Sequence, residues 1–380
     1  MKVCYLSSVL SVHDYRFLFT LVERNFETWL VTYNDGEIPD YIRGIKNLKI
    51  IHRRPRYFRG IQKFLFAAKR RDFRKVLKEI RPDVIHSGFV WKDGFLAALS
   101  GFHPHFLMVW GSDILVHPQK SRICRHIVRY TVKRADMIGC DCREVKKRTI
   151  ELTGYPEDKF VVFPCGIDLT LFNTGKDGFE IRKKLGWEKN KILISNRFFH
   201  PVYKIDQLIE ALPEVFSAEP SARVILAGAG PEENKLRGRV KARGLEDLVY
   251  FAGAVPNPEM PHYLNAADIY VSFSRSDGTS LCLLEAFACG LPVVVSDVPA
   301  NLEWVKDGIN GCVVSRGSIK QLSEKILLLL KDLDLREKMR EKNLIIAEKE
   351  ADWEKNFDKL QEAYTRLVFQ EGRVAEASMC

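Results

Sequence analysis

The chain has 380 residues and a net charge of +10, and its composition of 46% hydrophobic and 28% charged residues is that of a globular protein. A chain of this length exceeds one ordinary core, so we expect two domains, and the composition excludes intrinsic disorder, collagen and coiled coil as descriptions of the whole. No apolar run approaches the roughly 18 residues that a membrane-spanning helix requires, and nine scattered cysteines fit a reducing cytoplasm better than a secreted setting.

The positive charge is concentrated in the first half of the chain. Residues 1–172 hold 30 Lys and Arg against 18 Asp and Glu, whereas residues 173–380 hold 29 against 31. The excess is densest from Arg53 to Arg81, where 12 of 29 residues are basic. Such a field favours an anionic partner: a phospholipid surface, a phosphorylated substrate or a nucleic acid.

In the first half, short apolar runs alternate with longer segments of helical period. The predicted strands are Lys2–Ser7, Thr28–Tyr33, Leu48–Ile51, Asp83–His86, His105–Trp110, Asp136–Cys140 and Phe160–Phe163. The apolar start is interpreted as a buried strand and not as a secretory signal, because no small-residue cleavage site follows it. Ile61–Ile80 has apolar residues at helical spacing and is predicted to be a basic amphipathic helix.

The second half repeats this order. The predicted strands are Ile192–Ser195, Val224–Ala227, Val249–Ala252, Asp268–Phe273, Pro292–Ser296 and Cys312–Val314, and the predicted helices are Ile205–Phe216, Gly230–Arg243, Leu281–Ala288 and Ile319–Lys331. Strand–helix alternation of this kind implies parallel sheets covered by helices on both faces. Ligands of such folds bind at the carboxyl ends of the strands, and a ligand that bridges two such domains is expected in the cleft between them.

A glycine-containing stretch without clear period, from Phe163 to Trp187, marks the predicted domain boundary. The segment Asp334–Phe369 is predicted to be helical, and the chain after Gln370 is predicted to fray. We therefore expect domains at 1–170 and 171–352, and at 353–380 a C-terminal helix with a frayed tail that returns toward the first domain.

Two loops are candidates for phosphate binding. The first, Ala227–Pro231 with Gly230, follows a strand and opens a helical pattern, but Glu233 stands where a dinucleotide fingerprint has its third glycine, so it is weak evidence for NAD. A tight strand-to-helix turn explains it equally well. No P-loop sequence is present.

The second loop, Ser274–Leu281, carries the stronger signal. Gly278 allows a close backbone approach, and Thr279 or Ser280 can cap the following helix, whose N-terminus would bind phosphate through its N–H groups and dipole. Glu285 lies eight residues after Asp277, so two carboxylates could hold two hydroxyl-bearing ends of one ligand. The alternative for Glu285 is a buried salt bridge.

The stretch from Asp268 to Asp297 resembles the donor-binding signature of family 4 retaining glycosyltransferases of the GT-B fold. That signature is an E-x7-E motif followed by an alanine-rich helix, glycine, proline and valines, and here Asp277 replaces the first Glu. Other segments match the family in order: Ser195–Arg197 with Lys204, Phe163–Asp168 with Phe172, Asp83–His86, Trp110–Asp113, Asn301–Trp304 and Gly308–Gly311. The resemblance implies two doubly wound Rossmann-like domains that face an interdomain cleft, with C-terminal helices packing back.

The resemblance also implies a role for each matching residue. Arg197 and Lys204 would neutralise the leaving diphosphate, helped by the amides from Gly278 to Leu281, and no divalent metal or other cofactor is expected. Glu285 would hold the ribose diol, and Asp277 would bind donor-sugar hydroxyls. The nucleotide-sugar, with a UDP-sugar favoured, would be a substrate.

The acceptor side of the site is expected in the first half. The residues assigned to it are His13, Arg16, His86, Trp110 and Asp113, all near predicted strand ends. Two departures from the family lie here: Ser11–Arg16 replaces the usual Gly-Gly, and Trp110 replaces a His. For His13 and His86, a packed histidine with a hydrogen bond is an equally good interpretation.

The expected acceptor is a glycan or a lipid-linked molecule of cell-surface polysaccharide or glycolipid synthesis, in the cytoplasm or on the inner face of the membrane. The basic helix at 61–80 either docks on an anionic membrane or is only a solvated face. One alternative function is a nucleotide-sugar 2-epimerase, which shares the GT-B fold but needs no second substrate. A nucleic-acid-binding protein is a remote alternative, because no recognition module accompanies the charge.

Overall fold

The structure is a computed structural model that describes the backbone of residues 1–54 and 62–377 and the side chains of residues 1–54 and 67–369. The chain forms two compact units: Met1–Phe163 with Asp358–Cys380, and Pro164–Phe357. The predicted end of the first domain at residue 170 and the predicted start of the C-terminal segment at 353 lie close to these limits. The predicted helix start at Ile61 lies outside the described residues.

The first unit contains a seven-stranded sheet in which all strands are parallel. Its strands are β1 (Lys2–Leu6), β2 (Glu27–Thr32), β3 (Lys49–His52), β4 (Val84–Ser87), β5 (His105–Val109), β6 (Met137–Cys140) and β7 (Phe160–Val162), in the order β3-β2-β1-β4-β5-β6-β7. Its helices are α1 (Val12–Glu23), α2 (Asp40–Arg43), α3 (Gln62–Ile80), α4 (Asp93–Ser100), α5 (Gly111–Leu115), α6 (His117–Lys120), α7 (Arg122–Val132) and α8 (Arg143–Thr153), with a 3-10 turn at Glu157–Lys159.

The second unit contains a six-stranded parallel sheet. Its strands are β8 (Lys191–Ser195), β9 (Ala222–Leu226), β10 (Val249–Phe251), β11 (Ile269–Ser272), β12 (Val293–Ser296) and β13 (Gly311–Val314), in the order β10-β9-β8-β11-β12-β13. The remaining helices are α9 (Phe179–Leu185), α10 (Ile205–Ala218), α11 (Glu233–Lys241), α12 (Met260–Asn265), α13 (Leu281–Ala288), α14 (Pro299–Leu302), α15 (Ile319–Lys331), α16 (Leu333–Glu350) and α17 (Trp353–Ala377), with a 3-10 turn at Pro201–Tyr203. The split between the units falls within α17.

Both faces of the second sheet are buried. Ile192 and Ile194 of β8 belong to one apolar cluster, whereas Leu193 between them belongs to the cluster on the opposite face. Successive side chains of a strand point to opposite faces, so a strand covered by helices on both sides must be apolar throughout. Burial of each such side chain contributes about 1.5–3 kcal/mol.

The predicted fold class is confirmed. All thirteen predicted strands are present, with ends that differ by at most two residues. The helix predicted from Gly230 begins three residues later, at Glu233, because Gly230 has a φ of +153° that no helix admits. Helix α17 continues to Ala377, past the Gln370 at which fraying was expected.

The segment predicted to be helical, Asp334–Phe369, contains the two helices α16 and α17, and the break between them lies at the predicted start of the C-terminal helix, residue 353. The Asp352 carboxylate accepts a hydrogen bond from the backbone N–H of Glu354 and so caps the second helix. Ile167 also bonds across the break: its N–H donates to Ala351 O at 2.7 Å and its carbonyl accepts from Trp353 N at 3.0 Å. A Cβ on Gly166 would lie 2.7 Å from Ala351 O, which explains the glycine there.

Candidate functional site

The candidate site lies at the carboxyl edge of the second sheet, where the strand order reverses. The chain proceeds from β8 outward to β9 and β10, then crosses back to place β11 on the other side of β8. The strands β8 and β11 are neighbours, but the chain leaves them in opposite directions along the sheet. Their loops therefore separate and leave a crevice, which is the usual ligand position in open α/β sheets. The candidate donor-side residues all lie in the loops after β8, β9 and β11 or on α13, the helix that follows β11.

Arg197 is the centre of this arrangement. It follows β8, is only 4% exposed, and places Nη2 at 2.5 Å from Asp277 Oδ2. Its Nη1 donates to the Ser280 hydroxyl, and its guanidinium stacks on Tyr203 with Cζ at 4.0 Å from the ring centroid. One buried arginine thus joins the β8 loop to the turn at 277–280.

The ion pair with Asp277 keeps the buried guanidinium of Arg197 charged. Burial acts to lower the pKa of Arg197, but the Asp277 carboxylate raises it well above its ordinary value, so the guanidinium stays charged. Burial raises the pKa of Asp277, and the guanidinium opposes that shift. Arg197 Nε has no hydrogen-bond partner among the described residues, so one donor of the buried cation is left over.

A second link joins the β8 loop to α13. Asn196 donates from Nδ2 to Glu285 Oε2 at 2.9 Å, and the Cys282 thiol donates to the Asn196 carbonyl oxygen at 3.3 Å. Burial raises the pKa of Cys282 to about 12, so this thiol stays protonated as a donor. The structure therefore brings together Arg197, Asp277, Ser280 and Glu285, all predicted from the sequence, and adds Asn196, which was missed although it precedes Arg197.

The glycine loop after β9 packs against the loop after β8. A Cβ on Gly228 would lie 2.3 Å from Arg197 O, and one on Gly230 would lie 2.6 Å from Phe199 O. The Phe199 N–H also donates to Ala229 O at 2.8 Å. Both glycines are thus explained by close backbone contact, and donor binding by Gly230 stays a prediction.

Lys204 lies at a strained backbone position. It connects the 3-10 turn to α10 with φ +51° and ψ +36°, a left-handed conformation that costs most residues about 1–2 kcal/mol. Its ammonium forms no salt bridge within the part of the chain whose side chains are described. The turn before it is fixed to the β11 loop, since Arg275 N donates to Val202 O at 2.8 Å.

The N-terminus of α13 has the predicted local structure. Ser280 is the N-cap and accepts from the N–H of Leu283. Gly278 is buried, whereas Thr279 and Leu281 are half-buried. The first turn of this helix therefore lies directly beside the Arg197 guanidinium, since Ser280 contacts both.

In the first unit, the corresponding crevice lies between β1 and β4. The Ser8 hydroxyl and N–H both donate to the Asp93 carboxylate, at 2.5 and 2.9 Å, and so join the loop after β1 to the start of α4. Burial raises the pKa of Asp93 to about 6, although the Ser8 bonds oppose the shift. Neither residue was predicted; Asp93 is recognisable only as an acidic residue in a first helical turn.

The predicted acceptor-side residues fall into two groups. His13 and Arg16 lie in the first turns of α1, where the exposed His13 ring is 5.6 Å from the Trp110 ring. Trp110 packs on Gly88, where an added Cβ would meet the indole nitrogen at 3.1 Å. These three residues are surface or half-buried side chains, as an acceptor contact requires.

His86 and Asp113 are instead in the core. His86 is 1% exposed, stacks on Tyr5 at 4.7 Å and bonds the Tyr364 hydroxyl, and burial lowers its pKa to about 3. Asp113 is fully buried and accepts from Trp110 N at 3.1 Å at the start of α5, with its pKa raised to about 7 by burial. Both side chains thus have packing or capping contacts, as the alternative interpretation of His86 expected, and their assignment to the acceptor side stays a prediction.

Comparison with known families agrees with this architecture. Residues 177–345 match the model "Glycosyl transferases group 1", and residues 2–141 match "Glycosyl transferase 4-like". A crystal structure of Alr3699/HepE from Anabaena, in complex with UDP and glucose, is 20% identical and covers 97% of this chain and 100% of that chain with a TM-score of 0.82. These matches show that the fold is GT-B, and each half of the chain is similar to a glycosyltransferase family model.

Curated relatives match over shorter spans. The "Putative teichuronic acid biosynthesis glycosyltransferase TuaC" of Bacillus subtilis is 27% identical over 227 residues, which are 58% of this chain and 54% of that protein. The "GDP-mannose-dependent monoacylated alpha-(1-6)-phosphatidylinositol monomannoside mannosyltransferase" of Corynebacterium glutamicum is 32% identical over 205 residues, which are 51% of this chain and 53% of that protein. The matches thus span about half the length of these relatives.

Proposed function

We propose that this chain, whose two halves match glycosyltransferase family models, transfers a sugar from a nucleotide-sugar to a glycan or lipid-linked acceptor. The observation that carries the proposal is the assembly of Arg197, Asp277, Ser280 and Glu285 at the switch point of the second sheet. A diphosphate requires a cation and the N–H groups of a helix N-terminus, and a ribose diol requires a carboxylate that accepts its hydrogen bonds. UDP in the Anabaena structure makes a UDP-sugar our first candidate.

In this proposal the reaction proceeds on one face of the sugar, with retention. The bond from the anomeric carbon to the diphosphate oxygen breaks, and the acceptor oxygen bonds to the same carbon. The acceptor proton passes to the leaving phosphate oxygen, so no enzyme nucleophile is needed. Arg197, the ammonium of Lys204 and the start of α13 stabilise the negative charge that develops, in place of a divalent metal.

Asp277 has a second role in the proposal. Its carboxylate is held by Arg197 at the edge of the crevice and is partly exposed, so it can also accept from hydroxyl groups of the donor sugar. The acceptor binds to the first unit near His13, Arg16 and Trp110. We further propose that α3 brings the chain to the cytoplasmic face of a membrane that carries lipid-linked acceptors.

A substitution at Lys204 can separate the effect of its charge on transfer from the effect of its backbone conformation on stability. Lys204→Gly relieves the left-handed conformation, so we expect the free energy of unfolding to rise by about 1 kcal/mol. The same change removes the ammonium, and we expect transfer to slow roughly tenfold, because a half-exposed cation is screened. Lys204→Arg should retain most activity. A Gly variant as active as wild type would remove Lys204 from the mechanism.

The function itself is tested with the whole chain and a panel of UDP-glucose, UDP-N-acetylglucosamine and GDP-mannose. We expect one donor to raise the melting temperature, and its nucleoside diphosphate to be released in step with a new glycoside whose anomeric proton shows retention by NMR. An epimer of the donor formed without acceptor would support the isomerase instead. No stabilisation by any donor or diphosphate would contradict the donor site.

A further inference from the structure

Helix α3 presents unpaired positive charge. Its apolar stripe (Phe73, Val76, Leu77 and Ile80) packs into the core with residues of α4. Its exposed side carries Arg70, Arg71, Arg74, Lys75 and Lys78, and Arg81 follows its end. Within the part of α3 whose side chains are described, the apolar side is therefore occupied inside the protein, and the exposed side is predominantly basic.

Helix α7 carries a second basic stripe that sequence analysis missed. Arg122, Arg125, Arg129 and Lys133 recur at three- and four-residue intervals, and all are exposed. Beside them Ile123 is 72% exposed. The buried residues of this helix are Val128, Thr131 and Val132.

The two helices lie on the same face of the first sheet. Helix α4 packs against α3 on one side and against α7 on the other, where the Phe95 and Tyr130 rings are 5.8 Å apart. Helix α4 is short and has no exposed side chain from Asp93 to Ser100. Neighbouring helix axes are about 8–10 Å apart, so the basic stripes are separated by about 20 Å.

Among the residues with described side chains, none of these α3 and α7 cations forms an ion pair. The second unit differs, because many of its arginines are neutralised: Arg182 by Asp268, Arg239 and Arg243 by Glu210, and Arg316 by Asp297. The arginines of α3 and α7 thus differ from these paired arginines of the second unit.

The face also contains an open groove of about 1100 Å³. It is lined by α3 residues, by Arg81 and Pro82, and by Ser100 to Phe102. These segments immediately precede β4 and β5, so the groove is at the amino edge of the sheet. The strands β4 and β5, of four and five residues and so about 13–16 Å long, separate it from the carboxyl edge, where substrates of such folds bind.

We propose that the exposed sides of α3 and α7 form one docking face for an anionic phospholipid bilayer. This deepens the membrane contact proposed above and rests on that function, since a lipid-linked acceptor is what brings the chain to a membrane. A bilayer is favoured over a soluble polyanion because the charge covers a broad face and because Ile123 adds an apolar side chain among the cations. No helix of the described residues combines the length and apolar character needed to cross a membrane.

The test is vesicle flotation of the whole chain. Each cation near an anionic surface contributes about fivefold in affinity, so three together contribute on the order of a hundredfold. We expect Arg122→Gln/Arg125→Gln/Arg129→Gln and Arg70→Gln/Lys75→Gln/Lys78→Gln each to weaken binding to phosphatidylglycerol vesicles by that factor. The matched control, Lys338→Gln/Lys342→Gln/Lys349→Gln, removes three exposed cations from α16 and should bind normally.

Several outcomes would overturn the proposal. They are equal binding to pure phosphatidylcholine vesicles, an unchanged affinity of the α7 variant, or binding of soluble dextran sulfate without binding of vesicles. Transfer to a soluble acceptor should be unchanged in both triple variants. Loss of the proposed function would instead appear as absent transfer with normal flotation, so the two failures are distinguishable.

Discussion

Replacement of Arg197 by Met is expected to slow sugar transfer on the order of a thousandfold and to lower the free energy of unfolding by about 3–5 kcal/mol. The stability loss follows because Asp277, held at 2.5 Å from Nη2, would remain as a largely buried carboxylate without its cation. The rate loss follows because the same guanidinium holds Ser280 at the start of α13 and lies where the leaving phosphate is proposed to bind. We expect kcat to fall more than KM rises, since the charge develops in the transition state.

A double variant separates folding from chemistry. In Arg197→Met/Asp277→Asn no unpaired carboxylate remains, so urea unfolding should recover much of the lost stability. Transfer should not recover, because the cation is still absent. If the double variant regained transfer, Arg197 would act only by neutralising Asp277, and its role in charge stabilisation would be contradicted. Normal stability of the single variant would contradict the buried pair.

The fold was predictable because its signals are local. The β12 run from Val293 to Val295 is apolar and β-branched, and α13 begins and ends as predicted between Ser280 and Gly290. The predicted start of the C-terminal helix at residue 353 coincides with the break before α17, but the bonds that stabilise this break come from Ile167, far away in the sequence, and could not be predicted. Apolar spacing continues through the break, so periodicity alone cannot reveal it.

The site was predictable in its members but not in its contacts. Arg197 and Asp277 are 80 residues apart, and only the strand order brings them into one ion pair. Likewise, no local signal distinguishes the core histidine His86 from a surface one: its partner, Tyr364, lies 278 residues away. Lys204 was chosen for its charge, whereas its left-handed backbone depends on how the turn at Pro201–Tyr203 meets α10.

Glu285 gives the second large effect, with a different kinetic signature. A carboxylate that accepts from both hydroxyls of a ribose makes two charged hydrogen bonds, each contributing about 1.5–3 kcal/mol. We therefore expect Glu285→Gln to lower kcat/KM on the order of a thousandfold. These bonds are formed in the ground state as well as in the transition state, so the loss should appear mainly as a raised donor KM.

The Gln variant is the sharper choice, because its amide oxygen can still accept from Asn196 Nδ2 and so preserve the link to the β8 loop. Glu285→Ala would break that link as well and should cost more. Glu341→Gln, which neutralises an exposed carboxylate on α16, is the matched control and should leave kinetics unchanged.

Titration with UDP and 2′-deoxy-UDP then tests the contact with the ribose diol directly: wild type should prefer UDP, and Glu285→Gln should bind both alike. A variant that still discriminated between them would place the ribose elsewhere, even if its transfer were slow.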